Sequence, residues 1–413
     1  MRRSRFLCIS LFVFFASFSS SLWAQGGGTV DERFRVLEER IRALEAEVQS
    51  LKAAAPAGGA PVAPAAAETL QLPTPSLPVY GGAASLSKAL NPDIGVIGNF
   101  NGAAGRNIIS PFPSLSLRES EFGFRAIVDP YARADFFLSV GEEGAAVEEG
   151  YITFPALPGG FTLKAGRMRS NFGKMNPVHN HVLPWIDRPL ITYNLLGGEQ
   201  GESDAGIKDE GLSLSRILPA PGGLFLEGTA DVYRGNTGTL FQAERRSDVS
   251  SLFHLRGYHD LNESTNLEIG GSYARGHNDA GSDFLTHIGG LDATLRWKPL
   301  RRSIYNSFIA RSEFAWSRRK EETGTQRAFG FFTSADYQFA RRWFTGARFD
   351  WAERARDPNA HDNAVSAILT YWPSEFSQIR GQLRRTQYAE GHTANEFLFQ
   401  FQYVLGAHGA HVF

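Results

Sequence analysis

The segment from residue 170 to residue 206 carries the side chains with the clearest chemical potential. Two imidazoles lie one residue apart, an acid and an arginine are adjacent in the sequence, and further acids follow. Paired imidazoles can ligate a metal ion, and carboxylates facing cationic groups can sort ions by charge. A solvated loop packed on a larger body is the alternative. The residues concerned are His179, His181, Asp187, Arg188, Glu199, Glu202 and Asp204.

Catalytic chemistry finds little support in the sequence. Cys8 is the one cysteine and lies within an N-terminal apolar run, so thiol catalysis, thiolate metal sites and disulfides are excluded from the rest of the chain. Neither a Gly-x-Ser-x-Gly motif nor a His-Glu-x-x-His motif occurs, and the glycine-to-lysine spacing of residues 201–208 does not fit a phosphate-binding loop. We predict that the protein is not an enzyme and has no cofactor.

A two-residue alternation governs residues 91–413. In the segment from Trp343 to Trp351, aromatic and small residues occupy one face, whereas the other face includes Arg348 and Asp350. About sixteen such segments can be counted. Mean hydropathy is −0.23, as in a soluble protein, but membrane barrels show lipid only every second side chain. The pattern predicts an all-β fold, an antiparallel transmembrane β-barrel of about sixteen strands.

The connections predict how the barrel is oriented. Short turns near residues 129–130, 156–160, 219–223, 260–263, 340–342 and 373–375 alternate with longer polar links at 235–248, 275–283, 319–327 and 355–363. Short turns are typical of the periplasmic end and long loops of the outer end. The positions of the tryptophans support this assignment, because tryptophan is enriched at the two membrane–water interfaces. Beside short turns lie Trp297, Trp343 and Trp372, and near long links lie Trp316 and Trp351. The segment at 170–206 becomes the third external loop.

Strand parity also predicts which charged side chains face the lumen. Both signs occur, so we expect modest ion selectivity. The basic candidates are Arg125, Arg133, Lys164, Arg296, Arg311, Arg348, Arg380 and Arg384, and the acidic candidates are Asp135, Asp292, Glu313, Asp336 and Asp350.

Three further segments precede the barrel. Residues 1–24 have the basic start and apolar run of a signal peptide. Removal of this segment takes away Arg2, Arg3 and Arg5, so the 42 basic residues become 39 against 43 acidic ones. The resulting formal charge of −4 does not support nucleic-acid binding. Residues 25–52 contain a heptad seam whose flanking charges pair with opposite signs, which predicts a parallel coiled coil rather than an isolated amphipathic helix. Its core residues allow a dimer, but an Arg-apolar-x-x-apolar-Glu pattern favours a trimer. Residues 53–90 form an Ala/Pro-rich linker.

The whole pattern resembles trimeric diffusion porins. The coiled coil, linker and barrel together are similar to the phosphate-selective porin superfamily and related porin-like proteins. The resemblance implies that the third loop folds into the barrel and narrows a channel. The terminal Phe413 resembles the signal read by the outer-membrane insertion machinery. The implied partners are the lipid bilayer, the chain itself as a homotrimer, and the insertion machinery.

The leading hypothesis is therefore an outer-membrane porin for passive diffusion of small hydrophilic solutes or ions, with its coiled coil in the periplasm. The alternative is an envelope tether, in which the coiled coil reaches peptidoglycan and the barrel is largely closed. No metal site is predicted, because the topology separates His179 and His181 from His408 and His411 in the tail.

Overall fold

The computed structural model describes residues 92–141, 144–198 and 205–406. The predicted signal peptide, the coiled coil at 25–52 and the linker at 53–90 lie outside the described residues. So do Glu199, Glu202, Asp204, His408, His411 and Phe413.

The described chain forms a closed barrel of sixteen antiparallel strands in sequence order, and β1 pairs with both β2 and β18. Strands β8 and β9 form a separate two-stranded sheet in the connection between β7 and β10. The strands are β1 Asp93–Arg106, β2 Leu115–Asp129, β3 Ala132–Gly141, β4 Gly144–Leu157, β5 Phe161–Arg169, β6 Lys208–Leu218, β7 Phe225–Tyr233, β8 Asn236–Thr237, β9 Phe241–Gln242, β10 Ser250–Asn262, β11 Thr265–Asn278, β12 Gly281–Trp297, β13 Ser307–Glu321, β14 Gly324–Ala340, β15 Trp343–Arg354, β16 Asp357–Ser374, β17 Ser377–Gln387 and β18 Thr393–Gly406.

Alternation along each strand separates a polar interior from an apolar exterior. In β15, Arg348 and Asp350 are buried inside the barrel, whereas Trp343 and Phe349 are exposed on the outer face. Outward aromatics on neighbouring strands pack together, as Trp316 does with Phe329 at 5.3 Å between ring centroids. The predicted fold class and strand number are confirmed. No helix among the described residues has the length and hydropathy to cross a bilayer.

The connections follow the predicted order, but three of the predicted long loops are short turns. The short turns lie where they were predicted, but the segments at 275–283, 319–327 and 355–363 are not long loops. There the strands continue outward and reverse within two residues, at 279–280, 322–323 and 355–356. Beyond the bilayer a strand meets water on its outer face, so its polar residues no longer alternate with apolar ones and resemble a loop. Trp372 lies beside a short turn as predicted, but it lines an internal cavity.

The seam that closes the barrel depends on close backbone approach. Gly98 of β1 pairs with Tyr403 of β18, and the phenol ring lies across the glycine, so that a Cβ there would be 2.2 Å from the ring. Gly406 has a φ of +81° beside the carbonyl of Ile94, where any side chain would collide with that oxygen. Small residues therefore let the first and last strands meet.

Candidate constriction formed by loop 3

Loop 3, residues 170–207, joins β5 to β6 and folds into the lumen. It contains a 3₁₀ turn at Asn180–Val182 and one short helix, α1, at Leu190–Asn194. Leu183, Trp185 and Ile191 of the loop are almost fully buried and pack with Phe332 and other inward residues of β14–β16. The apolar residues of the loop thus form a hydrophobic core with the wall, and Phe172 and Leu196 form a second one with inward residues of β10–β12.

The two ends of loop 3 are tied together by one asparagine. The side-chain amide of Asn176 donates to the carbonyl oxygens of Ser170 and Ile207, both at 2.9 Å, and its oxygen accepts the Ile207 N–H at 2.8 Å. Arg169 donates to the carbonyl oxygens of Asn176 and Ala205. These bonds close the base of the loop.

A first anchor joins the loop to β11 and β13. The carboxylate of Glu313 accepts the backbone N–H groups of Lys174 at 2.7 Å and Met175 at 2.6 Å. The ammonium of Lys174 lies 2.5 Å from Glu268. Gly173 has a φ of +61°, and a Cβ there would be 2.8 Å from the Glu313 carboxylate. A glycine at this position lets the chain turn against the wall.

A second anchor joins the loop to β15 and β17 through Asp187. Its carboxylate lies 2.7 Å from Arg348 and 2.9 Å from Arg384, and it accepts the Gln382 amide at 2.5 Å. Burial raises the pKa of Asp187, but the two arginines lower it more, so the pKa lies well below its usual range. The sequence indicated that loop carboxylates could face cationic side chains on the wall. Asp187 does face two wall arginines, but it contacts them directly and leaves no open channel between the charges.

Arg380 and Arg188 also hold the loop. Arg380 of β17 donates to the carbonyl oxygens of Leu183 at 2.8 Å and Trp185 at 3.2 Å. Arg188, predicted as a constriction residue, bonds within the loop, to the side chain of Asn180 and to backbone carbonyls including that of Val178 at 2.6 Å. Arginine side chains thus satisfy loop carbonyls that have no β-sheet partner.

A third group of contacts joins the loop to β2 and β4. His179 Nδ1 lies 2.9 Å from Glu121 Oε2 and 3.3 Å from Glu148 Oε2, and His179 Nε2 lies 2.7 Å from Glu149 Oε2. His181 Nδ1 lies 3.4 Å from the same Glu121 oxygen. The buried carboxyl group of Glu119 lies beside Glu121 and Glu148. These six residues are called the His179 cluster below.

Electrostatics at His179 favour a positive charge. Burial lowers the pKa of His179, but hydrogen bonds with Glu121, Glu148 and Glu149 raise it well above its ordinary value. Its ring nitrogens are held by carboxylates on both sides. The site therefore attracts a cation, whether a proton or an ion.

Two register shifts place these glutamates. The β1–β2 pairing slips between Asn99 and Phe100, which leaves Arg118 as an extra residue before Glu119. The β3–β4 pairing slips at Phe137, and the extra residue is Glu148. A β-bulge lets consecutive side chains depart from strict alternation, so Glu148 and Glu149 are both buried inside the barrel.

Every predicted lumen residue lies on an inward position of its strand, but not all line open space. Arg125 and Arg133 are half-exposed and pair with Asp135, and the Lys164 ammonium lies over the Tyr151 ring. Arg311 pairs with Asp336, and Arg296 with Glu268. In contrast, seven predicted lining residues are mostly or fully buried by the loop and neighbouring side chains, which corrects their assignment to a water-filled wall: Arg348, Arg380, Arg384, Asp135, Asp292, Glu313 and Asp350.

A cavity of about 600 Å³ lies on the short-turn side of loop 3. Lys174, His179 and His181 of the loop form one boundary, and Arg125 and Arg296 belong to the wall. Loop 3 thus bounds one side of this cavity, which is called the vestibule below.

Sequence reasoning missed Glu119, Glu121, Glu148 and Glu149. Glu121 shares strand parity with Arg125, so parity could have found it. Glu119 shares that parity as well, and Glu149 shares the parity of the inward Thr153, so only Glu148, the extra residue of its β-bulge, departs from strict alternation.

Comparison with known proteins supports the architecture. No family model matches the sequence. The chain is 29% identical over 344 residues to an uncharacterised protein of Aquifex aeolicus (strain VF5), which covers 72% of this chain and 70% of that protein. Among solved structures, it superposes on OprB of Pseudomonas putida with a TM-score of 0.55 and 11% identity, covering 78% of this chain and 95% of OprB.

An anion-selective porin from Comamonas acidovorans gives a TM-score of 0.52 at 11% identity, with 76% and 99% of the two chains covered. At these identities the likeness concerns the fold. The barrel has the fold of outer-membrane porins.

Proposed function

We propose that this protein is an outer-membrane porin that lets small hydrophilic solutes or ions diffuse through a lumen restricted by loop 3. The observation that carries the proposal is a closed sixteen-strand barrel whose loop 3 is folded inside and bonded to the wall through contacts that involve Glu313, Asp187 and His179. A polar lumen with an inward loop is the arrangement of a diffusion channel. No enzymatic activity is part of the proposal.

Modest charge selectivity follows from the vestibule. Among its basic side chains, Lys174, Arg125 and Arg296 each have a carboxylate partner within 4 Å. Paired charges give a weaker field than a one-sided ring of charge. We expect reversal potentials near those of a weakly selective pore.

Assembly belongs to the same proposal. The heptad seam at 25–52 supports a periplasmic homotrimer, and the terminal Phe413 supports recognition by the outer-membrane insertion machinery. Both rest on the sequence pattern, as does export by the leader at 1–24.

The test compares purified wild-type protein with a variant in which residues 179–196 are replaced by a short Gly-Ser linker. In planar bilayers in KCl, the wild type should show stepwise conductance, and the loop-excised variant should show larger steps. If neither folded barrel conducts, the porin proposal fails. Reversal potentials in a KCl gradient report the charge preference of the same channels.

A tether remains the second candidate, because loop 3 contacts walls on several sides of the lumen, from Glu121 through Glu313 to Asp362. If the excised variant conducts and the wild type does not, the barrel is closed and the tether is favoured. Deleting residues 30–78 separates the functions further. A channel should keep its conductance after this deletion, whereas a tether should lose attachment to peptidoglycan in sedimentation of cell envelopes.

A further inference from the structure

We propose that the His179 cluster binds a divalent transition-metal ion at the contact between loop 3 and strands β2 and β4. The ligands are His179 Nδ1, His181 Nδ1 and the carboxylate of Glu121, with Glu148 as the fourth. The proposal concerns binding and does not depend on whether the barrel conducts.

The donor atoms are already spaced as a metal requires. One ligand atom each from Glu121, His179 and His181 lies within 4.8 Å of the other two. Both imidazole Nδ1 atoms approach the same Glu121 oxygen, at 2.9 and 3.4 Å, and Glu148 Oε2 lies 3.3 Å from His179 Nδ1. Zinc–ligand bonds of about 2.0–2.2 Å in a tetrahedron place neighbouring ligand atoms roughly 3.3–3.6 Å apart. Small side-chain rotations would therefore complete the site.

The other nitrogen of His179 is oriented as in metal-bound histidines. His179 Nε2 lies 2.7 Å from Glu149 Oε2, and Glu149 Oε1 accepts the backbone N–H of Arg169 at 2.6 Å. A carboxylate that accepts the Nε2–H fixes the tautomer whose Nδ1 carries a lone pair. Nδ1 then faces the oxygens of Glu121 and Glu148, where either a proton or a metal ion can lie between the nitrogen and the carboxylates.

The cluster also holds more buried carboxylate than its histidines can balance. Glu119 is 4% exposed, and its Oε1 accepts no hydrogen bond from any residue in the described part of the chain. One oxygen each of Glu119, Glu121 and Glu148 lies within 4.8 Å of the other two. Buried carboxylates at this separation repel strongly, and either a shared proton, as in the hydrogen bond between Glu119 and Glu148, or a divalent ion offsets the repulsion.

The donor set selects the class of ion. Imidazole nitrogen with carboxylate oxygen suits Zn²⁺, Mn²⁺, Fe²⁺, Co²⁺ and Ni²⁺ better than Mg²⁺ or Ca²⁺, which prefer oxygen alone. His179, His181 and Glu121 line the vestibule of about 600 Å³, so the ion can enter from that side. Once bound, it would link loop 3 to β2 and β4 and fix the position of the loop in the lumen.

The experiment uses the full-length barrel without a polyhistidine tag, with His408 and His411 replaced by alanine so that the tail cannot bind metal. After treatment with chelator and dialysis, Zn²⁺ binding is measured by calorimetry and metal content by mass spectrometry. We expect one Zn²⁺ per chain. H179A and H181A should abolish this binding, and E149Q should weaken it by about 10- to 100-fold, as losses of an orienting carboxylate do.

H287A is the matched control. His287 lies on the outer wall, where its Nδ1 is 2.8 Å from the Tyr273 hydroxyl, and its removal should leave Zn²⁺ binding unchanged. Folding of each variant is checked by heat-dependent mobility in SDS gels. X-ray absorption of the Zn²⁺-loaded parent barrel needs no cluster variant and should show two imidazole ligands. No stoichiometric Zn²⁺, fewer than two imidazoles, or binding retained in folded H179A and H181A would overturn the proposal.

Discussion

Replacing Asp187 by alanine should release loop 3 from the wall while leaving the barrel intact. Asp187 bonds two arginines, of which Arg348 is fully buried and Arg384 is 9% exposed at its side chain. Removing one partner of a buried ion pair costs about 3–5 kcal/mol. Arg348 keeps Asp350 at 2.7 Å and Arg384 keeps Glu396 at 2.7 Å, so the lower end applies.

A cost of about 3 kcal/mol shifts the equilibrium between the docked and released loop by roughly 10²-fold toward release. Hydrogen exchange measures this shift directly at the Leu190 amide, which donates to Asp350 in the docked loop. In D187A this amide should exchange about 100-fold faster, and single channels should show added openings of larger conductance. The matched control is R133A, which removes an arginine that is half-exposed and pairs with Asp135. Loss of this exposed ion pair in R133A should lower the stability of the protein by at most about 1 kcal/mol.

The pH dependence has a definite sign. The folded-state pKa of Asp187 is depressed, so its contribution is present above the pKa of the unfolded chain and is lost as pH falls through the lower folded value. Between pH 5 and 8 the difference between wild type and D187A should therefore be constant. Loop exchange in D187A within threefold of wild type, with unchanged conductance, would refute the anchor.

Three other substitutions test separate features. E313A removes the acceptor of two loop N–H groups, those of Lys174 and Met175. Each buried donor left unsatisfied should destabilise loop docking by about 1–3 kcal/mol. Trypsin should then cleave at Lys174 while the barrel stays folded. In variants that keep a single tryptophan, brominated lipids should quench the fluorescence of Trp316, which faces outward, but not that of Trp185, which is inside the barrel. Quenching of both would contradict the assigned faces. G98V should displace the ring of Tyr403 across the seam and lower the stability of the barrel by about 1–3 kcal/mol. In SDS gels the variant should unfold at a lower temperature than the wild type. An unchanged unfolding temperature would argue against tight packing at the seam.

The barrel was predictable because lipid and water impose opposite demands on the two faces of each strand. The alternation at Trp343 to Trp351 survives in the structure with Arg348 and Asp350 inside. Beyond the bilayer both faces of a strand meet water, so the far ends of β11 to β16 do not alternate between apolar and polar residues. The sequence pattern therefore did not predict these ends as strands. Position in the chain also placed loop 3 between the fifth and sixth strands.

The partners of loop 3 could not be predicted, because they lie far away in the chain. Asp187 meets Arg348 across 161 positions and Gln382 across 195. Alternation indicates that a side chain faces inward but not which loop atom it meets. The bulges at Arg118 and Glu148 are likewise set by backbone pairing, and without them the glutamates around His179 could not be assigned to one site.

The packing of loop 3 has a consequence for biogenesis. Trp185 and Leu183 are covered by inward residues of β14 to β16, and their carbonyls are bonded by Arg380 of β17, all of which follow the loop in the chain. The loop cannot reach its final place until those strands have formed. Docking of loop 3 therefore follows the pairing of β14 to β17, although the loop itself is made much earlier. An arrest of folding before those strands pair would leave the loop undocked and accessible to protease.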